Sequence, residues 1–129
     1  MGSRVLIVDD DVDLLESVVR FLGRFGYMCL TASSGTEAMA FMEVEAPDVV
    51  VTDLHMPGID GVAVTRHARG HCPPIPVVLM TAYPAPEAPQ QLQEAGGAVH
   101  VAKPFRNADL LTAVRRTLGT SGQMLSPSR

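Results

Sequence analysis

Two cysteines in 129 residues are too few for a disulfide framework. One of them, Cys29, falls inside an apolar run that reads as a strand, so a reduced, cytoplasmic chain is expected. Long hydrophobic runs are missing too. No stretch approaches the ~18 apolar residues that a membrane span needs, and no signal-peptide pattern precedes the first strand, so no membrane partner is expected. Positive charge is also scarce. Ten Lys and Arg against 14 Asp and Glu leave a net charge of −4, which argues against nucleic acid as a direct partner. No internal repeat is visible, and the length suits one domain with a single core, so a single domain is expected.

What is present is an alternation of strand and helix patterns. Residues 5–8 form a near-continuous apolar run, as a strand buried on both faces requires. Leu14, Leu15, Val18, Val19, Phe21, Leu22 and Phe25 then make one wide helical stripe, which Gly26 closes. Residues 27–31 read as the second strand. Ser34 and Glu37 make a capping box for a helix running to about residue 45, and Pro47 stops it. The third strand is 49–53, Met56-Pro57-Gly58 is a loop, and 60–69 is a shorter helix. Pro73, Pro74 and Pro76 separate that helix from a fourth strand over 75–80. Pro84, Pro86 and Pro89 crowd the start of a fourth helix at about 87–95. A fifth strand over 98–101 follows. A last helix, capped by Asn107 and faced with Leu110, Leu111, Val114 and Leu118, completes a domain spanning 4–118. Residues 119–129 read as a disordered tail. Five βα units predict an α/β fold, a doubly wound open parallel sheet of five strands with five helices on its two faces.

Polar residues gather where the apolar runs end. Asp9 and Asp10 follow the first strand, Asp53 closes the third, Thr81 follows the fourth and Lys103 comes soon after the fifth. Ligands of a doubly wound sheet bind outside the carboxyl ends of its strands, so neighbouring strands would bring these groups into one cleft. Three carboxylates that close repel one another and call for a cation. Mg²⁺ suits them, with Asp10 and Asp53 as direct ligands and Asp9 acting through water. A carboxylate can also accept a phosphoryl group, and Asp53, alone at the end of the central strand, is best placed for that. Lys103 can pair with one phosphoryl oxygen and the Thr81 hydroxyl can donate to another.

These motifs resemble the receiver domain of the bacterial response-regulator family. The resemblance rests on V-D-D at 8–10, D-x-x-M-P-x-x-D-G at 53–61, Thr81-Ala82 and Lys103-Pro104-Phe105, in that order and at strand ends. It implies a flavodoxin-like sheet of order 2-1-3-4-5. It also implies that Asp53 takes a phosphoryl group from a histidine of a partner kinase or phosphotransfer domain, as a stoichiometric acceptor rather than a turnover enzyme. Mg²⁺ would be held by Asp9, Asp10, Asp53 and the backbone carbonyl of His55, and the Lys103–Pro104 bond would be cis. Thr81 and the residue at 100 would form the switch. Signals would leave through the fourth helix, fifth strand and last helix toward an output domain or protein, or through a phosphorylation-dependent homodimer.

Three positions depart from the commonest family pattern. His100 stands where Tyr or Phe is usual, Tyr83 follows Thr81 by two, and His55 follows Asp53 by two. A neutral imidazole at 100 would accept burial more readily than a charged one, so the switched state should gain with rising pH. The three prolines at 84–89 would confine the change to residues 81–105.

Other chemistries fit less well. A phosphatase of the haloacid-dehalogenase type also uses aspartate and Mg²⁺, but its D-x-D pair at the first strand is matched poorly by Asp9-Asp10-Asp11. A flavin carrier would need a Ser/Thr/Gly-rich first loop, which is lacking. His67, His71 and Cys72 suggest zinc, because His at i and i+4 can share a helix face. With only three candidates and prolines following, imidazolium groups placed at a helix C-terminus are the simpler reading.

Overall fold

The computed structural model describes residues 2–82 and 99–122. Its elements are β1 (Arg4–Val8), α1 (Val12–Gly23), β2 (Met28–Ala32), α2 (Gly35–Val44), β3 (Val49–Asp53), α3 (Gly61–Arg69), β4 (Val77–Ala82), β5 (Val99–Lys103) and α4 (Asn107–Gly122). The strands form one parallel sheet in the order β2-β1-β3-β4-β5, as expected. The helix expected over 87–95, its three prolines and Tyr83 lie outside the described residues, as does the chain beyond 122.

Strand alternation divides the core into two layers. Val5, Ile7, Val49, Val51, Val78, Met80 and Val101 face Leu15, Val18 and Leu22 of α1 and Leu110 and Val114 of α4. Leu6, Val8, Val50, Val77 and Leu79 face Ala38 and Met42 of α2 and Val64 and Ala68 of α3. All five residues of β3 are buried, which makes it the central strand. The edge strand β2 leaves Met28 and Thr31 exposed.

Local signals explain most boundaries. Asp11 caps α1 by accepting from the Leu14 amide at 3.2 Å. Ser34 caps α2, with its hydroxyl accepting from the Glu37 amide at 3.1 Å, while Glu37 reaches back to the Ser33 amide at 2.8 Å. Asp60 caps α3 by accepting from both Val62 and Ala63 at 3.1 Å.

Some boundaries differ from expectation. α1 ends at Gly23, and the chain turns through Gly26, whose φ of 89° is costly for any residue with a Cβ. Phe25 therefore leaves the helical stripe. Its ring rests 5.2 Å from that of Phe21 and 5.4 Å from the Arg115 guanidinium. β4 starts two residues late because the Ile75 amide bonds back to Ala68. At their far ends β4 and β5 pair on as far as Ala82 and Lys103, so Thr81 and Lys103 belong to strands rather than following them. Asn107 is not the cap of the last helix. The Arg106 carbonyl accepts from the Asp109 and Leu110 amides, and the Asp109 carboxylate accepts from the Arg106 amide at 3.2 Å. α4 also runs past Gly119 to Gly122, since one glycine costs a helix only about 1 kcal/mol and the turns before it are packed.

Asp60→Ala should remove both amide partners and cost about 1 kcal/mol in urea denaturation, with Asp60→Asn losing less. Equal midpoints for the alanine variant and the parent would show that the cap contributes nothing.

Candidate functional site

Register places the polar strand ends side by side. Val8 pairs with Thr52, so Asp9 and Asp53 stand level on adjacent strands although 44 positions separate them in the chain. Asp53 pairs with Met80, which puts Thr81 one residue further along β4. Met80 pairs with Val101, so Lys103 begins two residues beyond that level, about 6.6 Å along the strand. By alternation Asp9, Asp53 and Lys103 continue the face of Ile7, Val51 and Val101, while Thr81 continues the face of Leu79. The long stem of Lys103 spans the remaining gap.

The Lys103 ammonium donates to Asp9 Oδ2 at 2.8 Å and lies 3.4 Å from Asp53 Oδ1. Asp9 is only 1% exposed, and its other oxygen accepts from the Asp11 amide at 3.0 Å. Asp53 is also buried, whereas Asp10 is exposed at the rim. One carboxylate oxygen from each of Asp9, Asp10 and Asp53 lies within 4.8 Å of the others. Three negative charges against one positive leave −2 when all are ionised. Burial, then the Asp9 charge, pushes the Asp53 carboxyl above its ordinary value, and Lys103 opposes this. For Lys103, burial pulls down, but the Asp9 hydrogen bond and the charges of Asp53 and Asp9 outweigh it, leaving the ammonium harder to deprotonate than usual. The group is an acidic, oxygen-rich pocket with its one cation already engaged.

The loop after Asp53 explains its motif. The Leu54 amide donates to Met80 at 2.9 Å, and the chain returns so that the Gly61 amide donates to the Leu54 carbonyl at 2.8 Å. A Cβ on Gly61 would lie 2.2 Å from the Asp53 carbonyl oxygen and 2.7 Å from Leu54 Cα. Only glycine lets α3 start against the strand that carries Asp53. The D-G pair at 60–61 signals this in the sequence, although the motif alone does not reveal the reason.

Thr81 is buried at its strand end, and the Lys103–Pro104 bond is cis, as the resemblance implied. His55 is exposed on the loop beyond β3. His100 is an exposed residue of edge strand β5, and partial burial of its ring pushes the imidazole below its ordinary value. The sequence missed the partner of Lys103, because a residue 94 positions away that shares its pocket leaves no local mark. It pointed to His67 and His71 as ligand-type groups but missed their third companion. His67 and His71 meet Glu43 of α2, and Cys72, the companion suggested by spacing, is exposed and outside the group.

Residues 5–115 match the family described as response regulator receiver domain. Sporulation initiation phosphotransferase F of Bacillus subtilis is 31% identical over 118 residues, covering 92% of this chain and 95% of that protein. The transcriptional regulatory protein PrrA of Mycobacterium tuberculosis is 35% identical over 127 residues, and this chain spans about half of it, 54%. Among solved structures, a putative response regulator from Chloroflexus aurantiacus shares 32% identity with a TM-score of 0.85, over 92% of this chain and 99% of that one. The chemotaxis protein CheY4 of Vibrio cholerae shares 29% identity with a TM-score of 0.84, over 92% of this chain and all of that one, 100%.

Two outcomes test the site's physics. A carboxyl whose value rises on folding binds its proton more tightly in the folded state, so it lowers stability as pH rises through that raised value. Metal-free Asp53→Asn should therefore be more stable than the parent at neutral pH, with the advantage shrinking on acidification; a pH-independent difference in denaturation midpoint would contradict this. Gly61→Ala should cost about 1–3 kcal/mol through forced backbone displacement. A urea midpoint unchanged from the parent would show that α3 yields freely.

Proposed function

The chain belongs to the response regulator receiver domain family, and we propose that Asp53 is its phosphoacceptor. The observation that carries this reading is the convergence of Asp9, Asp10, Asp53 and Lys103 at the strand ends. The phosphatase alternative finds no support in the matched family, relatives or structures.

The donor set suits a hard divalent cation. Oxygens on opposite sides of an octahedral Mg²⁺ are about 4.2 Å apart, twice the usual bond length, and the three carboxylates gather on that scale. Asp9, Asp10, Asp53 and the His55 backbone carbonyl would hold Mg²⁺, which supplies charge neutralisation to the carboxylates and the incoming phosphoryl group.

The chain's own residues account for the transfer. A carboxylate oxygen of Asp53 attacks phosphorus, the P–N bond to the partner's histidine breaks, and the electron pair returns to the imidazole. Lys103, now engaged by Asp9 and Asp53, would re-aim toward a phosphoryl oxygen, and the Thr81 hydroxyl would donate to another. Partial burial pushes the His100 imidazole below its ordinary value, so burying the ring further in the switched state would favour its neutral form. The reaction is a single stoichiometric transfer from a histidine kinase or histidine phosphotransfer domain in the cytoplasm. Its output would pass to a domain or protein through β5, α4 and the helix expected over 87–95.

Incubation with Mg²⁺ and acetyl phosphate should add one phosphoryl group per chain, visible by intact mass, and chelation should suppress it. Asp53→Asn should remove the label. Full labelling of that variant would sink the assignment, and multiple turnover of a phosphomonoester would restore the phosphatase reading.

A further inference from the structure

α2 and α3 pack on the same face of the sheet, and their far ends bring three ligand-type side chains together. Glu43 comes from the last turn of α2, His67 from the last turn of α3, and His71 from the turn just beyond. One ligand atom from each lies within 4.8 Å of the other two. His67 Nε2 is 2.7 Å and His71 Nε2 3.2 Å from the same carboxylate oxygen, Glu43 Oε2, and the two rings meet edge to face at 5.4 Å. Only His67 makes a hydrogen bond of good geometry. His71 Nε2 is shut off from water and faces the carboxylate at 3.2 Å without the geometry of a good hydrogen bond. Attraction of the rings to a helix C-terminus explains why basic groups crowd the end of α3, but not why both rings turn onto a carboxylate of another helix.

We propose that Glu43, His67 and His71 bind a divalent transition-metal ion of the Zn²⁺ class, tying α2 to α3. Two imidazoles and a carboxylate match zinc's nitrogen and oxygen preferences, while Mg²⁺ prefers oxygen alone. Zinc bonds of about 2.0–2.1 Å at tetrahedral angles separate ligand atoms by roughly 3.3 Å. The 3.2 Å pair already meets that spacing, and the 2.7 Å pair must open by about half an ångström. Glu43 is 61% exposed and free to make that adjustment. Three protein ligands leave a fourth position for water, and the exposed carboxylate gives the ion a path from solvent. The site is separate from the acidic pocket, which lies at the opposite end of α3.

The test is Zn²⁺ titration of the full chain against a chromophoric chelator in excess Mg²⁺, with Co²⁺ absorption reporting ligand type. The parent should take up one ion per chain at this site and gain thermal stability from it. His71→Ala should weaken uptake by roughly 100-fold or more, since losing even an indirect partner costs about 10–100-fold. Asp10→Asn should bind zinc like the parent, and His71→Ala should still be phosphorylated on Asp53. If His71→Ala fails to fold, Glu43→Gln at the exposed side chain makes the same comparison. No uptake by the parent, or uptake lost in Asp10→Asn but kept in the His71 and Glu43 variants, would overturn the proposal.

Discussion

One ammonium group conditions the whole strand-end cleft. Like charges 4.8 Å apart in surroundings of effective dielectric about 20 repel by roughly 3–4 kcal/mol per pair, and Asp9 and Asp53 are both buried. Lys103 offsets part of that repulsion by sitting between them, 2.8 Å from one and 3.4 Å from the other. It leaves a residual negative charge when all three carboxylates are ionised.

The sheet order makes this contact available. Placing β1 beside β3 sets Asp9 level with Asp53, and parallel pairing through β4 to β5 brings Lys103 within reach of both. A one-residue slip in any ladder would turn a carboxylate or the lysine to the opposite face. The fully buried hydrophobic runs of β1 and β3 fix the register, so apolar packing determines polar geometry here. α3 then links two sites. Its first residue, Gly61, abuts the backbone of Asp53, while its last turn and the turn beyond carry the histidines that meet Glu43. The helix is short, nine residues, and the acidic pocket and the histidine cluster lie at its opposite ends.

Much of this was legible in the chain alone. Continuous apolar runs, capping residues and helical stripes gave the parallel α/β class, and the aspartates at the ends of the first and third runs marked the pocket. Asp11, Ser34 and the shorter helix over 60–69 behave as their local chemistry dictates, because caps and turns depend on neighbours a few residues away. Strand ends were read less well. β4 and β5 extend to Ala82 and Lys103 because each finds hydrogen-bond partners on the other, a condition absent from either segment by itself.

What only tertiary structure decided is a matter of long-range pairing. That Lys103 engages Asp9, that Gly61 must lack a Cβ because the Asp53 backbone lies against it, and that Glu43 rather than Cys72 joins His67 and His71 all depend on groups from separate elements. The sequence by itself determined which residues carry charge, lone pairs and apolar surface, and where α1, α2 and α3 are capped. Which of those groups meet is set by closing the sheet and packing helices on its faces, since burial of apolar area fixes distances that no local pattern encodes.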